Sequence, residues 1–284
     1  MTTQSRPVPL ADAFHALHAA AAPLVLVNVW DVASARLVQE AGAAALATSS
    51  SALSWSCGYP DGNQLPRELA MEALQRIAAS TDLPVTADIE TGYAGLDGAF
   101  TDGELAKTVR KVLAAGAVGV NFEDSGGQPL TGVEEQARRI AVVRRTAEEA
   151  GVNLFINART DTYLSGNFPD SAYQETLRRA DAYLAAGANG IFVPGVQDLH
   201  VLHDLSHRID APLNALASLG APSVGELHDA GVRRISIGGN TAKAAYATVF
   251  RVAQDVLGDG NWSELAGARS HEAMDELFRR PNGG

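Results

Sequence analysis

The stretch AAGAVGVNFE, residues 114–123, decides how this chain folds. Two alanines end a helical run, Gly116 stands at the turn, and an apolar segment then runs to an acid, Glu123. Glycine suits that turn because the residue after a helix commonly needs a left-handed backbone before the chain enters a strand. The same punctuation recurs in EAGAAALAT (40–48), AAGANGIFV (185–193) and DAGVRRISI (229–237), with Gly42, Gly187 and Gly231 in the equivalent place. A second device appears in TDLPVTAD (81–88) and IDAPLNAL (209–216), where Pro84 and Pro212 open a strand at a position that need not donate a hydrogen bond.

Outward from these turns, eight short apolar runs read as strands: 24–29, 43–48, 84–88, 118–123, 152–157, 189–193, 212–216 and 232–237. Their apolarity is continuous, which marks strands buried on both faces, as in a parallel sheet. The intervening segments are long enough for crossover helices, for example 102–115, 134–150, 171–186 and 223–230. The pattern predicts an α/β chain forming one (β/α)8 TIM barrel over residues 1–284. An N-terminal helix lies within 1–23 and the barrel spans 24–257, closed by a helix over 241–257. A further helix over 262–278 and a mobile tail at 279–284 complete the chain. An open doubly wound sheet is the alternative, and the absence of a G-x-G-x-x-G between strand and helix weakens its dinucleotide-binding form.

Composition excludes several classes of function. Hydrophobic residues make up 46% of the 284 and charged residues 19%, so a large core forms and disorder is excluded. A net charge of -11 argues against a nucleic-acid partner, which would need clustered Lys and Arg. No run reaches the roughly 18 apolar residues of a membrane span, and the N-terminal run reads as an amphipathic helix and not a signal peptide. A single cysteine, Cys57, rules out an internal disulfide and fits a cytoplasmic setting.

In a barrel, chemistry gathers at the C-terminal ends of the strands. Polar residues do collect there: Asn28, Trp30 and Asp31 after the first strand, Thr48 to Ser51 after the second, Asp88 and Glu90 after the third, Asn121, Glu123 and Asp124 at the fourth, Asn157, Arg159 and Asp161 at the fifth, Asn214 at the seventh, and Ser236 at the eighth. Asp88, Glu90 and Glu123, with Asp61 on the preceding loop, would place carboxylates around one point. Such a group repels itself and takes up protons unless a cation joins it. An all-oxygen set without His or Cys suits Mg²⁺, bound partly through water. Alternatively, some of these acids cap the helices that follow them. Arg159 could grip a substrate carboxylate or phosphonate bidentately, or pair with Asp161 or Glu123. The segment SSSALSWSCGYPD, 49–61, offers hydroxyls and backbone N–H groups for an anionic oxygen. Cys57 is expected to be a small buried thiol, and His200, His203 and His207 a solvated helix face.

These motifs taken together resemble the isocitrate lyase/phosphoenolpyruvate mutase superfamily over nearly the whole chain. The carriers are N-V-W-D (28–31), S-A-L-S (51–54), G-Y-P-D (58–61), A-D-I-E-T-G-Y (87–93), V-N-F-E-D (120–124), N-A-R-T-D (157–161) and Asn214. The resemblance implies a TIM barrel whose eighth helix is exchanged between subunits of a homodimer or homotetramer. It also implies Mg²⁺-dependent cleavage or formation of a C–C or P–C bond beside a 2-oxo acid, through an enolate. By the same resemblance, Asp61, Asp88, Glu90 and Glu123 are the metal-site carboxylates, Ser51 and Ala52 the oxyanion turn, Trp30 and Asn214 substrate-bordering residues, and Arg159 the substrate clamp. Catalytic roles fall to Arg159, Glu123 and Ser51.

Three positions depart from the family pattern. Glu90 replaces the second acid of D-x-D-T-G-Y, one methylene longer. The loop 125–130, SGGQPL, lacks the lyase K-K/R-C-G-H segment and the mutase gate residues, though its glycines permit a short lid. Gly195 stands where lyases carry Glu. The expected reaction is cleavage of a small 2-oxo or 2-hydroxy carboxylate of the methylisocitrate/oxaloacetate kind. P–C chemistry on a phosphonopyruvate-like compound, or a catalytically silent Mg²⁺/carboxylate site, are the alternatives.

Overall fold

The computed structural model describes residues 7–93, 100–125 and 129–279. All strands are parallel and follow one another around a closed ring. Strand β1 comes in two segments, Leu24–Leu26 and Asn28–Val29, then β2 (Leu46–Thr48), β3 (Val85–Asp88), β4 (Gly119–Glu123), β5 (Phe155–Arg159), β6 (Gly190–Phe192), β7 (Leu213–Leu216) and β8 (Arg234–Ser236). The first half of β1 pairs with β8 and the second half with β2, so the sheet closes on itself and has no free edge.

The interruption at Val27 is where the ladder changes partner, and Asn28 joins the seam. Its side-chain amide donates to the Thr48 carbonyl at 2.9 Å, while its Oδ1 accepts from the backbone N–H of Ile237 (3.1 Å) and Gly238 (2.8 Å). Asn28, expected only as a rim residue, therefore also fastens the barrel shut.

Helices α1 (Pro7–Ala19) through α10 (Asn240–Gly258) surround the ring: α2 (Val32–Glu40), α3 (Ser50–Ser56), α4 (Arg67–Ala79), α5 (Asp102–Ala114), α6 (Val133–Glu149), α7 (Ala172–Ala185), α8 (Leu199–Arg208) and α9 (Val224–Asp229). Gly42, Gly116, Gly187 and Gly231 all take positive φ, between 87° and 103°, as the repeated turn requires. Helix α1 contributes Ala11 and Phe14, both wholly buried, beside β5. Among the described residues no helix is long and apolar enough to cross a membrane.

Two expectations need correction, on the C-terminal helix and on Cys57. The helix expected over 262–278 is broken: a 3₁₀ turn at Ser263–Leu265 is followed, after Gly267 at φ 84°, by α11 (His271–Arg279). The hydroxyl-rich segment after β2 is largely helical, as α3. Cys57 is exposed, because α3 ends at Ser56 and leaves the thiol just beyond its last turn. His200, His203 and His207 lie on the exposed face of α8, as expected. Half of the expected lid at 125–130, Gly126 to Gln128, falls outside the described residues; of the tail expected over 279–284, Arg279 ends α11 and 280–284 lie outside the described residues.

Candidate active site

The third strand supplies the centre of the site. Asp88 ends β3, and its Oδ2 accepts from both the backbone N–H (3.1 Å) and the hydroxyl (2.8 Å) of Ser50, at the start of α3. The backbone N–H of Asp88 donates to Thr48 Oγ1 at 3.0 Å. Ser50 and Thr48 thus fix the carboxylate from the neighbouring strand and helix. The sequence drew attention to Ser51 and Ala52 and gave no reason to single out Ser50.

Beyond Asp88 the backbone is forced. Glu90 and Tyr93 take φ of 50° and 52°, a left-handed conformation that costs a non-glycine residue roughly 1 kcal/mol or more. Gly92 is at φ 95°, and a side chain there would press Leu105 and Phe122, its Cβ only 2.5 Å from Leu105 Cδ1. The turn is held by Thr91, whose hydroxyl donates to Asn63 Oδ1 at 2.8 Å, and by the Glu123 N–H donating to the Glu90 carbonyl at 2.9 Å. Strain of this kind persists only where the surroundings over-determine it.

The outcome is an acid held where acids are disfavoured. Glu90 is 2% exposed, and neither carboxylate oxygen reaches hydrogen-bond geometry with a described donor. Burial, then the nearby Asp88 and Asp61, push its pKa up to about 8, and the Asn63 backbone N–H offsets part of this from outside strict hydrogen-bond geometry. Burial and Asp88 also raise Asp61, at the outer edge of the site. Tyr93 is buried within the same field, and burial together with all four acids, Glu90 foremost, keeps its phenol neutral.

Glu123 and Arg159 are register partners at the ends of β4 and β5. Arg159 Nη1 lies 2.8 Å from Glu123 Oε2, while its Nε and Nη2 donate to the two oxygens of Asp161 at 2.6 and 2.8 Å. Burial works against the Arg159 charge, but Glu123 and Asp161 hold it firmly cationic. Burial raises Glu123, with Asp88 and Asp161 adding to the rise and Arg159 opposing it. Both partners named in the alternative reading of Arg159 are present, and its position beside the acids is unchanged by them. The Ser125 hydroxyl adds a 2.5 Å hydrogen bond to Asp161.

Among the described residues Asp124 and Asp161 cap no helix. Asp124 is wholly buried, accepting from Arg179 Nη1 (2.8 Å), the Tyr183 hydroxyl (2.7 Å) and the Asp161 N–H (3.1 Å). Arg179 also donates to the Thr131 carbonyl at 2.9 Å. This network ties the ends of β4 and β5 to α7. Its arginine lies 55 residues from Asp124, so no local motif announced it.

The remaining expected site residues divide. Ser51 lies 3.0 Å, Oγ to Oγ, from the α3 N-cap Ser49, and beside Gly239 after β8. The Ala52 N–H faces Ser49 Oγ at 3.4 Å. Asn214 is fully buried and exchanges hydrogen bonds with Ser236 at 3.2 and 3.3 Å. Trp30 packs toward Tyr246 of α10, ring centroids 6.2 Å apart, and lines a side cavity of about 430 Å³ with Cys57 and Phe278.

A hard cation fits this donor set. The groups at this rim are oxygens, and Glu90 presents two buried carboxylate oxygens that lack a hydrogen-bond partner among the described residues. Among the described residues no three acidic, His or Cys side chains converge to coordinate an ion directly. Water would therefore complete the coordination, as Mg²⁺ commonly requires.

Comparison with known proteins matches a family model, phosphoenolpyruvate phosphomutase, over residues 14–257. The chain is 42% identical to a crystallised Burkholderia cenocepacia J2315 protein provisionally described as a phosphonomutase, covering 86% of this chain and 99% of that one, with a TM-score of 0.81. It is 30% identical to 2-methylisocitrate lyase of Bacillus subtilis (strain 168) over 75% of this chain and 68% of the lyase. A solved phosphonopyruvate hydrolase in complex with oxalate and Mg²⁺ shares the fold, with a TM-score of 0.80 at 23% identity, covering 94% of each chain.

Proposed function

From the premise that the chain belongs to the phosphoenolpyruvate phosphomutase family, we propose that it is a Mg²⁺-dependent lyase or hydrolase. It would cleave a C–C bond in a small 2-oxo or 2-hydroxy carboxylate of the methylisocitrate/oxaloacetate kind. The observation that carries this reading is Glu90: a strained, buried carboxylate without a close hydrogen-bond partner among the described residues, next to two further acids. A fold does not retain such a group for stability, and perturbed acids in a cluster mark functional sites.

Asp61, Asp88, Glu90 and Glu123 would hold the ion, largely through water. Bound there, Mg²⁺ supplies positive charge against the oxygen on which negative charge develops. The chain's own groups do the rest. Ser50 and Thr48 keep Asp88 in place. Arg159, already oriented by Asp161, presents its guanidinium at the rim to a substrate carboxylate. The hydroxyls of Ser49 and Ser51, at the first turn of α3, stand where an anionic oxygen could be received. Tyr93, kept neutral, remains a potential proton donor.

P–C cleavage of a phosphonopyruvate-like compound is the second reading, favoured by the phosphonomutase likeness at 42% identity. The two separate in one assay. Pyruvate release is followed with Mg²⁺ across methylisocitrate, isocitrate, oxaloacetate and phosphonopyruvate. Turnover of a carbon acid supports the C–C reading. Phosphate appearing with pyruvate from phosphonopyruvate supports the P–C reading, and no turnover with tight oxalate binding supports a silent site.

We further propose a homodimer or homotetramer, located in the cytoplasm. The oligomer is supported by α10, which buries only Ala242 along its 19 residues while Val249, Phe250 and Leu257 stand in solvent.

A further inference from the structure

A second arginine lies inside the barrel, beneath the acidic rim. Arg234, the first residue of β8, is 1% exposed. Its Nη2 donates to Asn121 Oδ1 at 2.8 Å, and the same oxygen accepts from Asn157 Nδ2 at 2.8 Å. Nε and Nη1 have no hydrogen-bond partner, and no carboxylate pairs with the guanidinium among the described residues. Below it stand the Phe14 ring, 6.0 Å from the guanidinium carbon, and His18, stacked on Phe155. Burial and Arg234 itself keep His18 neutral, with a pKa of about 3.

A buried charge without an ion pair is costly and is rarely kept without a reason. The reason lies one side chain above. Asn121 is the register partner of Asp88 across β4 and β3, so the residue that holds the guanidinium is level with the central acid of the site. Barrel and rim have complementary problems, an unpaired cation below and crowded carboxyl groups above.

We propose that Arg234 is the built-in counter-charge of the metal-site carboxylates, a positioning residue that holds Asp88 in a favourable field from below and sets the affinity for the cation. This rests on the metal-site reading given above. Burial lowers the Arg234 pKa to about 9 and Asp88 opposes the fall, so the group is cationic at neutral pH. Two consequences follow from its charge. It eases repulsion among the acids while the cation is absent, and it repels the cation when that binds. Affinity is thereby moderated.

Calorimetric titration of Mg²⁺ into the wild-type chain, Arg234→Lys and Arg234→Gln tests this at one neutral pH, with folding checked by circular dichroism. Both substitutions disturb the Asn121 hydrogen bond, and only glutamine removes the charge. The glutamine variant is expected to bind Mg²⁺ roughly three- to tenfold more tightly than wild type, with the lysine variant close to wild type. Equal affinities in the two variants, or weaker binding in the glutamine variant alone, would overturn the counter-charge. If Arg234→Gln does not fold, Asn121→Asp replaces it. That isosteric change sets an acid on the same guanidinium and should also tighten Mg²⁺, whereas unchanged affinity contradicts the proposal. A wild-type chain that binds no Mg²⁺ overturns the metal reading itself, and the inference with it.

Discussion

At the scale of single residues, Glu90 is the feature least explicable by stability. Its pKa is about 8 in the folded chain against an ordinary 4.5, so between those values the folded state holds a proton that the unfolded state has lost. The metal-free protein therefore loses stability as pH rises from about 4.5 to 8, by up to about 1.4 kcal/mol per pH unit from this group. Below 4.5 the contribution is complete. Glu90→Gln should remove that slope, read as the difference between wild-type and variant denaturation midpoints across the window. A variant whose pH profile parallels wild type would contradict the buried, protonated carboxyl group. Glu90→Asn should go further, since Asn tolerates positive φ. A gain on the order of 1 kcal/mol in the metal-free protein, with Mg²⁺ binding lost, is expected.

At the scale of elements, the rim depends on connections between strands and the helices behind them. The clearest is Asp124–Arg179–Tyr183, with Asp124 wholly buried and Arg179 3% exposed. Arg179→Met would leave the Asp124 carboxylate inside the protein with its cationic partner gone, at a cost of about 3–5 kcal/mol. Arg178, one residue away, pairs with Glu175 and Glu134 with about half its side chain in solvent, so Arg178→Met should cost about 0.5 kcal/mol or less. Urea denaturation of the two variants decides it, and similar losses would show that the buried pair carries no special weight. The contrast also shows what sequence can and cannot say. Gly116 and its three equivalents were legible because a helix end and the strand after it are local in the chain. The acids at strand ends were legible because barrel architecture places them together. Ser50 under Asp88, Arg179 behind Asp124 and Arg234 below the rim were not, because each meets its partner across 38 to 113 residues. The exposed Cys57 and the broken C-terminal helix were not legible for a different reason. Both depend on where a short helix stops, which a glycine or a serine signals only weakly.

At the scale of the whole molecule, the closed ring leaves helix α10 without a matching surface among the described residues. Helix α10 packs its first turn on the barrel through Ala242 and carries Tyr246, Val249, Phe250 and Leu257 outward, with Trp262 and Leu265 following. An apolar face of this extent on a monomer usually marks an interface. Sedimentation velocity should give a dimer or tetramer for the wild-type chain, and Phe250→Asp should shift it toward monomer. A wild-type chain that is monomeric at micromolar concentration would refute this.

The central claim joins all three scales: the strand-end carboxylates form a Mg²⁺-dependent site for a 2-oxo acid. Oxalate, a stable planar dicarboxylate that mimics an enolate, probes it without requiring turnover. Calorimetric titration of oxalate should show binding to the wild-type chain with Mg²⁺ present and none in its absence, and none to Asp88→Ala under either condition. Oxalate binding that is indifferent to Mg²⁺, or unchanged in Asp88→Ala, would contradict the account.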